Sequence, residues 1–180
     1  LASSAASDVY KRQGHGGAII ATSNGGTTGL EVYSSEFSGN TAKTGSAISI
    51  SNSNLTIENT KFTSNTASGY GTVYLGSGAT ANITGSEFKS NTANVGSAIY
   101  ASATSVANIS NTVFDSNNAL TFSTVRNEGN MTISDSTFKE NTAKSASAIS
   151  NTGSMVIRDS KFISNSTSCL LYTSPSPRDR

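Results

Sequence analysis

A repeat of about 25 residues runs through almost the whole chain and constrains its fold more than any other feature. Near-copies such as FSGNTAKTGSAI (37–48), FKSNTANVGSAI (88–99) and FKENTAKSASAI (138–149) mark its frame. Six of the seven phenylalanines recur at spacings of 24 to 26 residues, and each of the six stands three residues before an asparagine. The two columns are Phe37, Phe62, Phe88, Phe114, Phe138, Phe162 and Asn40, Asn65, Asn91, Asn117, Asn141, Asn165. Such a repeat indicates a solenoid in which each copy stacks on the next.

Apolar and polar residues alternate within each repeat, which predicts short β-strands. The segments LTI (55–57), MTI (131–133) and SAISI (46–50) show this period of two. The abundant Ser, Thr and Asn side chains disfavour helices because they compete for backbone hydrogen bonds. A leucine-rich repeat is excluded because the chain contains almost no Leu. We therefore predict an all-β fold, a right-handed parallel β-helix of about six coils with 24–26 residues per coil.

Stacked coils place equivalent side chains in columns about 4.8 Å apart. The Phe column is expected inside, flanked by Ile and Val columns, and the Asn column at a turn. There the amides would bond to the coils above and below, as in stacked amide ladders. Asn also tolerates the left-handed backbone of sharp corners, which favours this placement. All length variation falls at one corner of the coil, where insertions commonly contact partners.

The two ends of the chain do not follow the repeat. SSAASDVYKRQ (3–13) and CLLYTSPSPRD (169–179) can be encoded by a transposase-type sequencing adapter and its reverse complement. We therefore predict that residues 1–13 and 169–180 are adapter-derived and disordered, and that residues 14–168 are a β-helix fragment. Cys169 and both prolines lie in the second end.

Composition excludes some functions once these ends are set aside. Four of the 12 basic residues and two of the 11 acidic residues lie in the ends, so residues 14–168 carry a formal charge of −1. This balance offers no basic footprint for nucleic acid, and we predict none as a partner. No long apolar run is present, so we expect no direct membrane insertion by this segment.

The repeat motifs resemble those of a known family. FxxN in every coil, together with GGAI (16–19) and its variants GSAI and ASAI, is similar to the paired motifs of the chlamydial polymorphic outer-membrane proteins. Similar repeats occur in other right-handed parallel β-helix surface proteins. The resemblance implies a secreted or surface-displayed, adhesin-like passenger region at the cell surface, outer-membrane associated if bacterial. A host or matrix glycan or protein would be its partner.

An enzyme is the alternative, because some β-helices cleave polysaccharides. GHG (14–16) resembles a polygalacturonase signature, but the paired carboxylates that glycoside hydrolysis needs are not near His15. Asp135, Asp159 and Arg158 come closest to the set expected of a calcium-dependent lyase, and Asp is also a common turn residue. We predict a non-catalytic protein without metal or cofactor. The alternative is a fragment of a pectate-lyase-like enzyme whose catalytic coils are missing.

One surface feature suggests binding. Tyr74, Tyr100 and Arg126 occupy the same column on three successive coils, next to inward-facing Ile and Val residues. They should form a short outward stripe, and aromatic stripes bind sugars or proteins. Tyr is also simply a good residue for an exposed strand. Because both ends of a β-helix fragment lack caps, we further expect end-to-end self-association of the isolated chain.

Overall fold

The computed structural model describes residues 14–23 and 29–167, and this part of the chain is built from β-strands and turns without a helix. Twenty-four strands follow one another as four per coil, and the chain winds into a right-handed parallel β-helix of about six coils. The predicted fold is confirmed. The two predicted adapter segments lie outside the described residues, as do residues 24–28.

The strands form four parallel sheets, numbered here in the order in which each coil enters them. Sheet 1 contains β1 (Ile19–Thr22), β5 (Ile48–Ser51), β9 (Val73–Leu75), β13 (Ile99–Ala101), β17 (Val125–Asn127) and β21 (Ile149–Asn151). Sheet 2 contains β2 (Gly29–Tyr33), β6 (Asn54–Glu58), β10 (Thr80–Thr84), β14 (Val106–Ser110), β18 (Asn130–Ser134) and β22 (Ser154–Arg158).

The other two sheets contain the Phe and Ala columns. Sheet 3 contains β3 (Glu36–Ser38), β7 (Lys61–Thr63), β11 (Glu87–Lys89), β15 (Val113–Asp115), β19 (Thr137–Lys139) and β23 (Lys161–Ile163). Sheet 4 contains β4 (Thr41–Thr44), β8 (Thr66–Tyr70), β12 (Thr92–Val95), β16 (Asn118–Phe122), β20 (Thr142–Ala143) and β24 (Ser166–Thr167).

The core is a set of in-register columns. Successive Phe rings of sheet 3 stack with centroids 4.4–5.3 Å apart and planes within 12° of each other. The Phe side chains from Phe37 to Phe138 are buried, and Phe162 in the last coil is 48% exposed. Inward residues of sheets 1 and 2 complete the interior, including Ile48, Ile57 and Leu55. Because equivalent residues of successive coils pack on one another, a few apolar residues per coil are enough to fill the interior.

The asparagines form a continuous amide ladder at the corner between sheets 3 and 4. Each side-chain amide donates to the Oδ1 atom of the Asn in the next coil, over 2.8–3.1 Å between Nδ2 and Oδ1. From Asn65 onward, each also donates to the carbonyl of a Phe in the preceding coil. The four inner asparagines are completely buried with their hydrogen-bonding groups satisfied: Asn65, Asn91, Asn117 and Asn141.

The left-handed backbone lies one residue before the ladder, which corrects the sequence-based expectation for Asn. The residue preceding each ladder Asn has φ between 51° and 66°: Gly39, Ser64, Ser90, Ser116, Glu140 and Ser164. A second left-handed column, with φ between 45° and 59°, joins sheets 2 and 3: Ser34, Asn59, Gly85, Asn111, Asp135 and Asp159. A left-handed conformation is unfavourable for non-Gly residues, so the stacked hydrogen bonds on both sides must hold these corners in place.

Hydroxyls form a second ladder beside the Phe column. A Ser or Thr stands two residues before each of the six Phe of sheet 3, and its hydroxyl donates to the carbonyl two residues earlier. In several coils the same oxygen accepts a backbone N–H from the preceding coil, as in Thr60 to Ser86 at 3.1 Å. This ladder satisfies backbone groups that the corner removes from the sheets.

Candidate binding surface on sheet 1

The predicted stripe lies on the outer side of sheet 1. Tyr74 of β9 pairs in register with Tyr100 of β13, which pairs with Arg126 of β17. The two phenol rings stack with centroids 5.4 Å apart and planes 12° apart. All three side chains are half-buried rather than fully exposed. The structure therefore brings the three predicted residues together, packed against further side chains.

Two aromatic residues from the end of sheet 4 flank the stripe. Tyr70 lies with its ring centroid 4.7 Å from that of Tyr100 and 6.3 Å from that of Tyr74. Two coils further on, Phe122 places its ring 5.8 Å below the guanidinium carbon of Arg126. Both are substantially exposed, Tyr70 at 43% and Phe122 at 40%. The result is a continuous surface, named here the aromatic stripe, formed by Tyr70, Tyr74, Tyr100, Phe122 and Arg126.

A β-bulge explains why these aromatics reach sheet 1. Strands β8 and β16 are one residue longer than β4 and β12, and the pairing register shifts at this point. The next residue, Gly71 or Ser123, has a positive φ. A Cβ on Gly71 would lie 2.6 Å from the carbonyl oxygen of Val73, so glycine fits this turn best. The bulge and the turn place the aromatic side chain beside the following strand.

Glu128 fixes the arginine end of the stripe. Its Oε1 accepts from Nε and Nη2 of Arg126, over 3.2 and 3.1 Å. Nη1 of Arg126 donates to Ser150 Oγ at 2.7 Å, and Nη2 also donates to Thr152 Oγ1 at 3.2 Å. Four hydrogen bonds hold the guanidinium in place with its carbon 5.8 Å from the centroid of the Phe122 ring, within the range of a cation–π contact.

Burial and Glu128 also change the chemistry of the two stacked tyrosines. Burial, followed by the hydrogen bond and charge of Glu128, raises the pKa of Tyr100 far above its ordinary value. Burial, followed by the proximity of Tyr70 and Glu128, raises the pKa of Tyr74. Both hydroxyls therefore stay protonated at physiological pH. They serve as neutral hydrogen-bonding groups rather than as bases or nucleophiles.

The candidate catalytic residues lie in two separate places: His15 is in the first described coil, and Asp135, Arg158 and Asp159 are neighbours on the last two, where the Asp135 N–H donates to the Arg158 carbonyl over 3.2 Å. His15 pairs with Thr44 at the start of the described chain, and its ring centroid lies 6.2 Å from that of Tyr74. Asp135 and Asp159 occupy left-handed turn positions, and Arg158 lies in the adjacent sheet 2 strand. Within 14–23 and 29–167, no group of three or more His, Cys, Asp or Glu side chains is placed to hold a metal ion.

A separate charged cluster crosses three coils on the outer side of sheet 3. The carboxylate of Asp115 lies 3.1 Å from Lys139 Nζ and 3.7 Å from Lys89 Nζ, and accepts from the Ser116 hydroxyl at 2.8 Å. Burial by itself would raise the pKa of Asp115, but the Ser116 hydroxyl and both ammonium groups outweigh it and hold the pKa below its ordinary value. These groups satisfy one another, which indicates a structural cross-coil brace.

Sequence reasoning missed Tyr70, Phe122 and Glu128. The signal for the first two was present, because an aromatic residue stands eight positions after Phe62 and after Phe114. Their proximity to the stripe depends on the bulge and the turn, which the apolar periodicity does not reveal. Glu128 lies at the variable corner between sheets 1 and 2, where position along the repeat fixes no side-chain direction.

Comparison with known proteins supports the fold class. The chain matches the family described as the right-handed beta helix region over residues 16–177. It therefore belongs to the right-handed β-helix family. Separate comparisons with curated proteins and with solved structures found no match. None of the described residues forms a helix long and apolar enough to cross a membrane.

Proposed function

We propose that this β-helix is a non-catalytic, adhesin-like binding region that uses the aromatic stripe to contact a glycan or protein of a host surface or matrix. The observation that carries the proposal is the stripe itself. It joins three tyrosines, one phenylalanine and one arginine on one side of the solenoid, across coils that hold them in rigid register. Aromatic residues and Arg are enriched where proteins recognise one another.

The shape of the surface also favours binding over catalysis. The depressions on the described surface are shallow and open, and the carboxylates beside the stripe are engaged by neighbours, as Glu128 is by Arg126. The elevated pKa values of Tyr74 and Tyr100 argue against their use as general bases.

The repeat motifs support a more specific proposal for the type of protein and its location. The FxxN and GGAI-like motifs favour a passenger region of the polymorphic outer-membrane type, secreted or displayed at the cell surface. The Ser-, Thr- and Asn-rich exterior suits contact with hydrated glycans or matrix. Nucleic acid and direct membrane insertion remain outside this proposal, in keeping with a formal charge of −1 over residues 14–168.

Surface plasmon resonance on immobilised matrix proteins and neutral glycans tests the proposal. The double variant Tyr70→Ala/Phe122→Ala removes the two most exposed rings of the stripe without opening the core. We expect it to bind at least about tenfold more weakly than the unchanged chain, as truncation of two aromatic contacts commonly does.

A matched control uses exposed residues away from the stripe. Tyr33 and Val106 lie on sheet 2 and are 49% and 38% exposed, so Tyr33→Ala/Val106→Ala removes exposed apolar surface on another sheet. This control should bind like the unchanged chain. Equal weakening by both double variants, or retention of full affinity by the stripe variant, would refute the stripe as the binding surface.

The isolated chain should also associate with copies of itself. In the last coil, Ile157, Phe162 and Ile163 are 42–49% exposed, and β21 to β24 each pair with one described strand. A second copy stacked on this edge would continue the hydrogen-bonded ladders. We expect light scattering to show mass rising with protein concentration. A monodisperse monomer at millimolar concentration would contradict this expectation.

A further inference from the structure

The Tyr column of sheet 1 ends abruptly on one side. Tyr74 and Tyr100 stack on each other, so one face of the Tyr74 ring is covered. The coil on its other side places Ser49 in the same column, and the coil beyond places Ile20 there. Ser49 lacks a ring, so no residue of this column continues the stack, and the nearest other ring of this lining is the His15 imidazole, tilted by 53° with its centroid 6.2 Å from that of Tyr74. Two coil spacings, about 9–10 Å, separate the Ile20 and Tyr74 positions.

A depression of about 360 Å³ lies at this interruption. Its walls are the exposed Ile20 side chain and Tyr74, and Ser49 is its floor, only 4% exposed. The imidazole of His15 and the hydroxyls of Thr22, Ser51 and Ser77 complete the lining. The volume falls near the lower end of the range for small-molecule sites, about 300–1,000 Å³. The depression is open, so a ring-sized group would be only partly enclosed by this lining.

The position of the Tyr74 ring is fixed before any ligand arrives. Gly76 lies two residues further along the same strand, and a Cβ there would sit 3.1 Å from Cε1 of Tyr74 and would collide with the Ser51 hydroxyl. Glycine at this position lets the ring lean towards the variable corner, while Tyr100 supports it from behind. A ring held in this way loses little conformational freedom when something stacks on it.

The lining indicates the chemistry of the occupant. It contains one aromatic ring, one aliphatic side chain, an imidazole and four hydroxyl groups, and no Asp, Glu, Lys or Arg. A pyranose matches this set, because it is a ring-sized group with an apolar C–H face and a rim of hydroxyls. An aromatic side chain would also fit the gap but would form no hydrogen bonds with the hydroxyls of the lining, which the hydroxyl groups of a sugar can do.

From this geometry we infer that the depression between Ile20 and Tyr74 is a subsite for one neutral pyranose unit of a glycan. The sugar would pack its C–H face against the part of the Tyr74 ring that Tyr100 and His15 leave accessible, and exchange hydrogen bonds with the surrounding Ser and Thr hydroxyls. This inference rests on the proposed binding function. It assigns a sugar-binding position beside the aromatic stripe, with Tyr74 common to both.

Saturation-transfer-difference NMR of the full chain with neutral methyl pyranosides tests the inference. The probes are methyl glucoside, methyl galactoside, methyl mannoside and methyl N-acetylglucosaminide, with N-acetyltyrosinamide as an aromatic competitor. We expect at least one glycoside to bind with a dissociation constant on the order of millimolar, as one small ring on an open site allows. Tyr74→Ala should weaken it about tenfold, whereas Tyr74→Phe should retain it within about twofold.

A second variant protects the test against a folding defect at Tyr74. Ser77 is exposed in the turn after β9, so Ser77→Phe should occupy the depression without touching the core. It should abolish glycoside binding at an unchanged unfolding midpoint, and Tyr33→Ala should change neither. Absence of glycoside binding at about 100 mM, preference for N-acetyltyrosinamide, or binding insensitive to both Tyr74→Ala and Ser77→Phe would overturn the subsite.

The failure of the subsite and that of the proposed function give different results. If the subsite alone is wrong, Tyr70→Ala/Phe122→Ala still weakens binding to immobilised matrix ligands, while the glycosides do not bind. If the proposed function is wrong, the stripe variant has no effect on any macromolecular ligand.

Discussion

Replacing Phe88 with alanine is expected to lower the free energy of unfolding by about 3–5 kcal/mol, the range for truncating a buried Phe. Phe88 is completely buried, and its ring stacks on Phe62 at 4.5 Å and on Phe114 at 5.3 Å. The cavity cannot collapse easily, because the coils above and below are fixed by parallel hydrogen bonds. Urea denaturation monitored by circular dichroism measures the effect.

Phe162→Ala provides the matched control for this prediction. Phe162 belongs to the same column but lies in the last described coil at 48% exposure, with one Phe neighbour described at 5.0 Å. Its removal should cost no more than about 1 kcal/mol, because little new cavity forms. Similar losses for the two variants would mean that position along the column does not determine the contribution of a ring.

Replacing Asn91 with aspartate is expected to destabilise the protein by about 3–5 kcal/mol at pH 7, the range for an uncompensated buried charge. The Nδ2 of Asn91 donates to the Phe62 carbonyl at 2.9 Å and to Asn117 Oδ1 at 3.1 Å. A carboxylate would turn two donor contacts into oxygen–oxygen contacts in a fully buried position. The two hydrogen bonds that the backbone N–H and Nδ2 of Asn65 donate to the side-chain oxygen at position 91 would remain.

The defect in Asn91→Asp should depend on pH in a defined direction. Burial raises the pKa of a carboxyl above its unfolded value of about 4. The penalty is therefore smallest below that value, where both states are protonated, and grows as pH rises towards the folded-state pKa. Stability measured at pH 3 and pH 7, relative to the unchanged chain, should show this recovery in acid.

Asn108→Asp is the control for the amide ladder. Asn108 lies on the exposed side of sheet 2 and donates to Asn82 Oδ1 at 3.0 Å. Its replacement should cost less than about 1 kcal/mol, because water solvates the new charge. A pH-independent loss in Asn91→Asp, equal to that in Asn108→Asp, would contradict the buried ladder.

The columns were predictable because the sequence repeats them with few errors. The spacing of Phe and Asn, together with the period-two segments, is enough to derive parallel stacking and the inward position of Phe37 to Phe138. The hydroxyl ladder could also have been found, since Ser or Thr stands two residues before each of the six Phe of the column. The abundance of Ser and Thr throughout the chain hides this pattern.

Other features depend on geometry that a repeat pattern does not encode. The left-handed turn falls on Ser64 or Ser90 rather than on the neighbouring Asn, because the buried Asn side chain must point inwards to join the ladder. Likewise, the contact between Tyr70 and Tyr100 requires the bulge in β8 and the turn at Gly71. Local irregularities of this kind decide which outer side chains meet.

The central claim is that this β-helix binds a surface or matrix ligand without transforming it. The most direct test incubates the purified chain with each ligand that it retains and analyses the ligand afterwards by mass spectrometry and size-exclusion chromatography. The account predicts that the ligand is recovered intact, and that Tyr70→Ala/Phe122→Ala retains at least about tenfold less of it. Shortened or unsaturated glycan products that accumulate with time and protein concentration would contradict the account and favour the polysaccharide-cleaving alternative.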